Sequence, residues 1–192
     1  MKYRTDSEVI TVNGRTWWVN SHGSGLYSHI IKAMINQIDA MLSHHSRLHI
    51  IRFDLHQNEY TENSERITSF NRRFHKWLKR GYKLKRVGYL WARERDKAKK
   101  QHYHYALLID GHKAQYPVQI LKKAKEIWES LMGTEFTPKN CYYNVHRDDY
   151  QTLQRTIWRI SYLAKVRSKG RRPEQAKDYS TSRIKHKAVI ID

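Results

Sequence analysis

Residues 87–110 read VGYLWARERDKAKKQHYHYALLID and contain two strand-like runs, at 87–95 and 102–110. A charged turn of five residues, at 96–100, lies between them. Two such runs joined by a short polar turn containing no further periodic pattern are typical of a β-hairpin. The sequence therefore predicts a hairpin here, and the other elements are read outward from it.

Helical and β-like patterns alternate on both sides of this hairpin. In chain order the predicted elements are a strand at 48–55, a helix at 64–79, the hairpin, a helix at 118–132, a strand at 141–146 and a helix at 148–167. Gly81 and Gly133 stand where the first two of these helices are expected to end. The order β-α-β-β-α-β predicts an α+β protein with a ferredoxin-like, or RRM-like, antiparallel sheet that has helices packed on one face.

Two further segments flank this core. Residues 1–20 alternate weakly around Asn13-Gly14, a two-residue hairpin signal, and residues 24–45 carry apolar side chains at helical spacing, which predicts an extra N-terminal helix. The residues from 168 onward are basic, polar and turn-rich, as expected of a loop or tail. We therefore divide a single domain into an N-terminal hairpin and helix (1–45), a core (46–167) and a basic C-terminal tail (168–192).

The chain is strongly basic. Its 192 residues include 37 Lys and Arg against 18 Asp and Glu, a formal net charge of +19. Such a charge is typical of proteins that bind polyanions, with nucleic acid favoured over an anionic membrane surface. The single cysteine excludes an internal disulfide framework and fits a reducing compartment, and no apolar run approaches the ~18 residues of a membrane span. Residues 1–10 also lack the apolar stretch of a signal peptide, so we expect a cytoplasmic protein without a membrane partner.

A candidate metal site lies on the hairpin. His102 and His104 are two residues apart on a strand and therefore project from the same face, while Tyr103 and Tyr105 point to the core. Folding the hairpin sets Glu94 roughly opposite the two histidines, with Asp96 as the reserve ligand. Two nitrogens and one carboxylate suit a catalytic Mn²⁺ or Mg²⁺, with Zn²⁺ as an alternative, rather than a closed structural zinc. The competing interpretation is that two exposed strand histidines bind nothing.

Tyr162 is the second candidate. On the predicted last helix, Leu153, Ile157, Ile160 and Ala164 form one apolar stripe, and Tyr162 falls almost opposite it. Its face also carries the cations Arg155, Arg159, Lys165 and Lys169. Cationic surroundings favour a phenolate and attract a phosphate, as a nucleophilic tyrosine requires. The alternative is an exposed tyrosine that only stacks on, or hydrogen-bonds to, nucleic acid.

The helix at 64–79 carries a basic face of its own. Arg72, Arg73 and Lys76 lie on it, and they form either a phosphate-contacting surface or a solvated helix face.

Several short motifs, taken in order, resemble those of the HUH endonuclease superfamily. They are RFDLH at 52–56, GYLWARE at 88–94, HYHY at 102–105, YLAK at 162–165 and STSR at 180–183. Together they look most like the inovirus (filamentous phage) replication-initiator family and its prophage relatives, over about residues 45–185. The fold of that family agrees with the β-α-β-β-α-β order.

The resemblance implies nicking and joining of single-stranded or hairpin DNA at a replication origin, through a 5′-phosphotyrosyl intermediate in rolling-circle replication. It implies that His102, His104 and Glu94 hold a divalent metal. Tyr162 would be the nucleophile, and Lys165 would hold the phosphate or the geometry of the metal site. It also implies a bacterial host cytoplasm as the location and no small-molecule cofactor. A host helicase is a candidate partner, because the chain is too short to carry a helicase domain.

The resemblance leaves some points open. Asp54 and His56 match its first motif, but their direct role is left open. No second tyrosine lies on the face of Tyr162, and Tyr150 is about twelve residues away, so single-tyrosine chemistry is favoured. The alternative function is a non-catalytic DNA-binding or regulatory module of a phage or mobile element on the same fold. A structural zinc is disfavoured because Cys141 is alone.

Overall fold

The computed structural model describes residues 3–95, 101–166 and 177–188, which form an α+β structure. The strands are β1 (Arg4–Thr5), β2 (Val9–Val12), β3 (Arg15–Trp18), β4 (Leu26–Tyr27), β5 (Arg47–Gln57), β6 (Gly88–Arg95), β7 (Gln101–Asp110), β8 (Gly133–Phe136), β9 (Tyr142–His146) and β10 (Tyr179–Thr181). The helices are α1 (Ser28–His44), α2 (Glu65–Gly81), α3 (Val118–Glu129) and α4 (Tyr150–Ile160), and a 3₁₀ turn at Ser161–Ala164 follows α4. None of the helices in these ranges is long and apolar enough to cross a membrane.

Six strands form the central sheet, in which all the described pairings are antiparallel. The spatial order is β10-β6-β7-β5-β8, and β9 pairs with the first half of β5. The predicted hairpin is confirmed as β6 and β7, while its turn at 96–100, with the reserve ligand Asp96, lies outside the described residues. The first hairpin signal is confirmed as well, because Asn13 and Gly14 both have positive φ between β2 and β3.

Helices cover both faces of this sheet. The two helices of the predicted β-α-β-β-α-β order pack on one face, as predicted, and α1 and α4, which lie outside that order, pack on the other. Helices α2 and α3 bury their apolar stripes against alternate strand residues that include Phe53 and Tyr105. Helices α1 and α4, with the β2–β3 hairpin, pack on the other face, against residues that include Ile50 and Leu108. We call these the α2/α3 face and the α1/α4 face. Because strand side chains alternate, the parity of a residue decides on which face it lies.

The last helix is shorter than predicted. Instead of running over 148–167, it ends at Ile160 and continues as the 3₁₀ turn, after which Lys165 has an extended ψ of 136°. Ser161 Oγ donates a hydrogen bond of 2.7 Å to the carbonyl of Trp158 and accepts one of 2.9 Å from the backbone N–H of Asn20. A contact with the N-terminal segment therefore changes the helical phase just before Tyr162.

The other helix ends differ in smaller ways. Helix α3 ends at Glu129 rather than near 132, and Gly133 is the first residue of β8 instead of a helix cap. A Cβ at Gly133 would collide with the indole of Trp128, so the close approach requires glycine there. Helix α2 includes Gly81, and the positive φ that follows is at Lys83. Helix α1 begins at Ser28 rather than 24, because Leu26 and Tyr27 pair with β1.

The C-terminal segment contains a strand that the sequence analysis missed. Tyr179–Thr181 pairs with β6, so the prediction of a loop or tail is wrong for these residues. Ser182 is buried, and its hydroxyl donates a hydrogen bond of 2.7 Å to Gln37 on α1 and accepts one from the N–H of Tyr89. Residues 177–188 therefore contact the core, while 167–176, including Lys169, lie outside the described residues.

Candidate active site

The register of three strands brings the candidate metal ligands together. His102 on β7 is paired with Glu94 on β6 on one side and with His56 on β5 on the other. One step along β7, His104 is paired with Ala92 and Asp54. These residues have the parity of the α1/α4 face, so the predicted common face of the two histidines is confirmed.

Glu94, His102 and His104 each offer one ligand atom, and these atoms all lie within 4.8 Å of one another. Oε2 of Glu94 is 3.5 Å from Nε2 of His102 and 3.3 Å from Nε2 of His104. Glu94 and His104 are buried, whereas the His102 side chain keeps 16% of its surface exposed. The three residues predicted as ligands thus form a cluster that reaches the surface at His102.

Asp54 holds the ring of His104. Its Oδ1 lies 2.7 Å from Nδ1 of His104, within hydrogen-bond distance. Burial lowers the pKa of His104, but its contacts with the carboxylates of Asp54 and Glu94 outweigh burial and raise the pKa above 6.5. Burial raises the pKa of Asp54, but the hydrogen bond and charge of His104, together with Arg52, lower it below its usual value. In many metalloproteins a carboxylate that binds the second ring nitrogen orients a metal-binding imidazole, and Asp54 is placed to do the same.

The donor set fits a divalent cation. Nε2 of His104 is buried and makes no hydrogen bond of good geometry with the residues that the structure describes, although it faces Glu94. An imidazole nitrogen without such a bond is costly to bury, and a metal bond would satisfy it. Two imidazoles and one carboxylate leave coordination positions open, which is typical of catalytic rather than structural metals.

His56 lies beside this cluster. Its ring stacks on His102, with 5.1 Å between ring centroids and 15° between planes. Its backbone carbonyl accepts a hydrogen bond of 2.8 Å from the indole N–H of Trp128. The first sequence motif therefore contributes Asp54 to the orientation of His104, and His56 to packing against His102.

Tyr162 lies against the candidate metal cluster formed by Glu94, His102 and His104 rather than in open solvent. Its ring is 5.1 Å from the ring of His104 in an edge-to-face arrangement, and the guanidinium carbon of Arg52 lies 4.8 Å from its centroid. The expected position opposite the apolar stripe is wrong, because the 3₁₀ turn rotates the half-buried Tyr162 toward the sheet. Leu153, Ile157, Ile160 and Ala164 are all buried, as predicted.

Arg52 is a site residue that the sequence analysis quoted only as part of a motif. It is 6% exposed, and its Nη2 lies 3.6 Å from Oδ1 of Asp54. Burial lowers the pKa of Arg52, while the charge of Asp54 acts in the opposite direction. Two-residue alternation from Asp54 was the available signal, since it places Arg52 on the same face of β5. Arg52 thus links the carboxylate behind His104 to the ring of Tyr162.

The match to known families covers this whole site. Residues 11–177 match the YagK/YfjJ C-terminal domain family. The chain belongs to this family. The match includes the three ligand candidates and Tyr162, and it ends before β10. The family is associated with prophages. Neither a curated protein nor a solved structure matches the chain significantly.

Lys165 lies three residues after Tyr162 and is buried. Its ammonium donates hydrogen bonds to Oδ1 of Asn20, at 3.1 Å, and to the backbone carbonyl of His22. These bonds connect the 3₁₀ turn to the loop between β3 and β4. Lys165 therefore contributes to the position of Tyr162 through the N-terminal segment.

The predicted DNA-contacting cations fall into two groups. Arg155 is exposed on α4, and Arg159, half-buried on the same helix, donates a hydrogen bond of 2.7 Å to the carbonyl of Lys139. Arg72, Arg73 and Lys76 are exposed on α2, which covers the opposite face of the sheet. The structure therefore does not bring the α2 cations to the metal cluster.

Phe136 is a second residue that the sequence analysis missed. It is paired with Asp54 across β8 and β5, so it has the parity of the site. Its side chain is 56% exposed, and its ring lies 6.5 Å from that of His56, at right angles to it. An exposed aromatic ring thus borders the metal cluster on the β8 side.

Proposed function

We propose that this protein is a metal-dependent HUH-type DNA nicking–joining endonuclease of a phage or prophage element. Its substrate would be single-stranded or hairpin DNA at an origin of rolling-circle replication. The observation that carries the proposal is the contact between Tyr162 and His104, because it sets a tyrosine beside three clustered metal-ligand candidates.

The topology supports the same assignment. The segment β5-α2-β6-β7-α3-β8 has the β-α-β-β-α-β order, and its strands are arranged β6-β7-β5-β8 in the sheet. This order agrees with the ferredoxin-like fold that we expect from the sequence, and it supports the proposed HUH centre. Helices α2 and α3 cover one face of this sheet, and the cluster lies on the other.

Glu94, His102 and His104 would hold the divalent ion, Mn²⁺ or Mg²⁺ with Zn²⁺ as the alternative. When bound, such an ion polarises the scissile phosphate and offsets the negative charge that develops on it. Asp54 keeps the Nδ1 proton of His104 and so leaves Nε2 as the ligand atom.

Tyr162 would act as the nucleophile. Its hydroxyl gives its proton to solvent, and its oxygen bonds to phosphorus as the bond from phosphorus to the 3′-oxygen breaks. The 3′-oxygen takes up a proton from solvent and leaves as a free hydroxyl, so a 5′-phosphotyrosyl link remains. The guanidinium of Arg52, whose central carbon lies 4.8 Å from the centroid of the Tyr162 ring, would attract a phosphate placed beside this hydroxyl. A later attack by a 3′-hydroxyl on the same phosphorus rejoins the strand.

The surroundings suit an extended single strand. Phe136 offers an exposed ring for a base to stack on, and the net charge of +19 favours the phosphate backbone. The partly exposed side of the cluster, at His102, is the side next to His56 and toward β8.

The test is the formation of a covalent adduct. Because the origin sequence is unidentified, a pool of random single-stranded oligonucleotides with a 3′-terminal label would be incubated with the protein and Mn²⁺, then separated on a denaturing gel. We expect a labelled protein band that disappears with EDTA, and mass spectrometry of the digest should place the nucleotide on the peptide containing Tyr162. A band on a peptide with another tyrosine would contradict the assignment of the nucleophile.

The alternative is a DNA-binding or regulatory module without catalysis. The hydrogen bonds of Lys165 to Asn20 and His22 favour it, because they turn the expected phosphate-holding ammonium toward the N-terminal loop. In the same experiment this alternative predicts retention of the oligonucleotides on a native gel and no labelled band on the denaturing gel.

A further inference from the structure

The outer side of α2 carries a row of cations. Arg72, Arg73, Lys76, Lys79 and Arg80 are all exposed, while Ile67, Phe70, Phe74 and Leu78 form the buried side of the helix. We call these five cations the α2 basic stripe. They recur at intervals of three and four residues, so they lie along one side of the helix. Glu65, in the first turn, is the one acidic residue of α2.

Among the described residues, no carboxylate pairs with the cations of this stripe. Within the described ranges, no Asp or Glu oxygen lies within 4.0 Å of a nitrogen of these five side chains. Arg73 donates a hydrogen bond of 3.3 Å to the hydroxyl of Ser130, which leaves its charge uncompensated. Five uncompensated cations on a rigid element form a surface that attracts a polyanion.

The stripe is separated from the metal cluster by the sheet and by α2 itself. The cluster lies on the α1/α4 face, whereas α2 packs on the α2/α3 face with the stripe turned outward. The thickness of one helix, about 10 Å, therefore lies between the sheet and the stripe. A strand seated on the cluster cannot contact the stripe at the same position along its backbone.

From these observations we infer that the α2 basic stripe binds the phosphate backbone of double-stranded DNA, as a second DNA surface separate from the proposed nicking site. Arg72 and Lys79 are about 10 Å apart along the helix axis, which spans about three phosphate steps of one strand in a duplex. Fixed cations at this spacing are sufficient for a duplex, because its affinity comes mainly from phosphate neutralisation.

Two other polyanions fit the stripe less well. A single strand needs exposed rings for its bases, but Trp77 is half-buried on α2, stacks on Phe74 and has Lys123 5.8 Å from its ring centroid. An anionic membrane needs apolar side chains beside the cations, and no large apolar residue described on α2 is exposed.

The test compares two variants with the same loss of charge. One carries Arg72→Gln, Lys76→Gln and Lys79→Gln in the stripe, and the control carries Arg15→Gln, Lys32→Gln and Lys185→Gln, three exposed cations elsewhere. The dissociation constant of a blunt duplex of about 20 base pairs would be measured at several salt concentrations. We expect the stripe variant to lose about 2–3 from the slope of log K against log salt, since each phosphate contact contributes about 0.9.

The control variant should retain the wild-type slope to within about 0.5, and circular dichroism should show both variants folded. Equal slopes for the stripe variant and the wild type, an equal loss in the control, or no duplex binding by the wild type would each overturn the inference. Duplex binding by the stripe does not depend on the proposed function. Only the claim that this surface is separate from the nicking site rests on it. We therefore also expect the stripe variant to form the covalent adduct with single-stranded oligonucleotides in the same yield as the wild type. A fall in adduct yield together with the loss of duplex binding would overturn that separation. If the wild type forms no adduct, the proposed function fails while the duplex result remains readable.

Discussion

The ring of His104 is held between two carboxylates, with Oδ1 of Asp54 2.7 Å from Nδ1 and Oε2 of Glu94 3.3 Å from Nε2. The two carboxylates have different roles, because one contacts Nδ1 and the other faces Nε2. A hydrogen bond from Nδ1–H to Asp54 fixes the orientation and tautomer of the ring, so Nε2 is directed toward Glu94 and His102. Asp54 is therefore a positioning residue behind the proposed metal site.

Replacing Asp54 by Asn should weaken metal binding. The substitution keeps the size of the side chain but removes the charge that supports the Nδ1 proton of His104, and loss of such a partner costs about 10- to 100-fold in metal affinity. Isothermal titration with Mn²⁺ measures the change. Asp110→Asn is the matched control, because Asp110 lies 3.4 Å from His45 outside the cluster. Equal Mn²⁺ affinity in the Asp54 variant and the wild type would exclude the positioning role.

Replacing His102 and His104 together by Ala should abolish both metal binding and adduct formation. The wild type should gain about 2.7 kcal/mol of stability at a Mn²⁺ concentration of 100 Kd, because the metal binds the folded state alone. Thermal unfolding with and without Mn²⁺ detects this gain, which the double variant should lack. The control is His22→Ala with His112→Ala, two exposed histidines elsewhere. A metal-dependent rise in the melting temperature of the His102/His104 variant would show that the ligands lie elsewhere.

Tyr162→Phe should bind single-stranded DNA about as well as the wild type and form no covalent adduct, since phenylalanine has no nucleophilic oxygen. Its ring can keep the contacts with His104 and Arg52, so the stability should change by less than about 1 kcal/mol, the size of one hydrogen bond. Gel shifts, adduct gels and urea unfolding measure these three properties. Tyr150→Phe is the control, because Tyr150 bonds to the carbonyl of Thr16 and stacks on Trp17. An adduct retained in Tyr162→Phe and lost in Tyr150→Phe would reverse the assignment.

Phe136→Ala should weaken the binding of single-stranded DNA and leave duplex binding unchanged. Loss of one base-stacking ring costs about 1–3 kcal/mol, or about 5- to 150-fold in the dissociation constant. Fluorescence anisotropy with a labelled oligonucleotide is a suitable measurement. Tyr116→Ala removes an aromatic side chain that is 75% exposed just before α3, and it should bind as the wild type does. A similar loss of affinity for single-stranded DNA in both variants would indicate nonspecific binding by exposed aromatic side chains rather than a base-stacking position at Phe136.

His75 should make the fold sensitive to acid. Burial, together with the smaller effect of the charge of Lys79, lowers its pKa from 6.5 to about 4, so the folded state favours the neutral ring. The contribution of the neutral His75 ring to the free energy of unfolding is complete above pH 6.5. It is lost as the pH falls toward 4, because the unfolded chain binds the proton first. The full difference amounts to about 3 kcal/mol.

Urea unfolding of the wild type and of His75→Gln between pH 4 and 7 isolates this effect. A glutamine can still hydrogen-bond to the hydroxyl of Tyr105, which lies 3.0 Å from the imidazole nitrogen of His75, but it does not titrate. We expect a flatter pH dependence in this variant than in the wild type and in the exposed control His112→Gln. Parallel curves for His75→Gln and the wild type would assign the acid sensitivity to other groups.

The clustering of Glu94, His102 and His104 was predictable because it depends on local rules. Alternation along one strand placed His102 and His104 on one face, and a short hairpin set Glu94 opposite them. Asp54 is 50 residues from His104 in sequence, and their pairing depends on the register of β5 against β7. The sequence contains no local signal for that register, so the role of Asp54 beside His104 required the structure.

The errors near the C-terminus have a different cause. The helical spacing was correct up to Ile160, but the contact of Ser161 with Asn20 ends the α-helix there, and a projection at 100° per residue fails from that point. The strands β8 and β10 have four and three residues, too few for a visible alternation, and they form because β5 and β6 offer free edges. Partners distant in sequence decided all three features.

The bonds between the 3₁₀ turn and residues 20–26 have a consequence for the order of events during synthesis. They include the ammonium of Lys165 on Asn20 and the N–H of Val166 on the carbonyl of Gly25, which join positions more than 140 residues apart. Contacts at such separation close the longest loops of a chain and form late in folding. A nascent chain that has emerged only as far as β7 already contains the candidate metal ligands but lacks Tyr162, so the proposed active site is complete only after residues 161–166 have been synthesised.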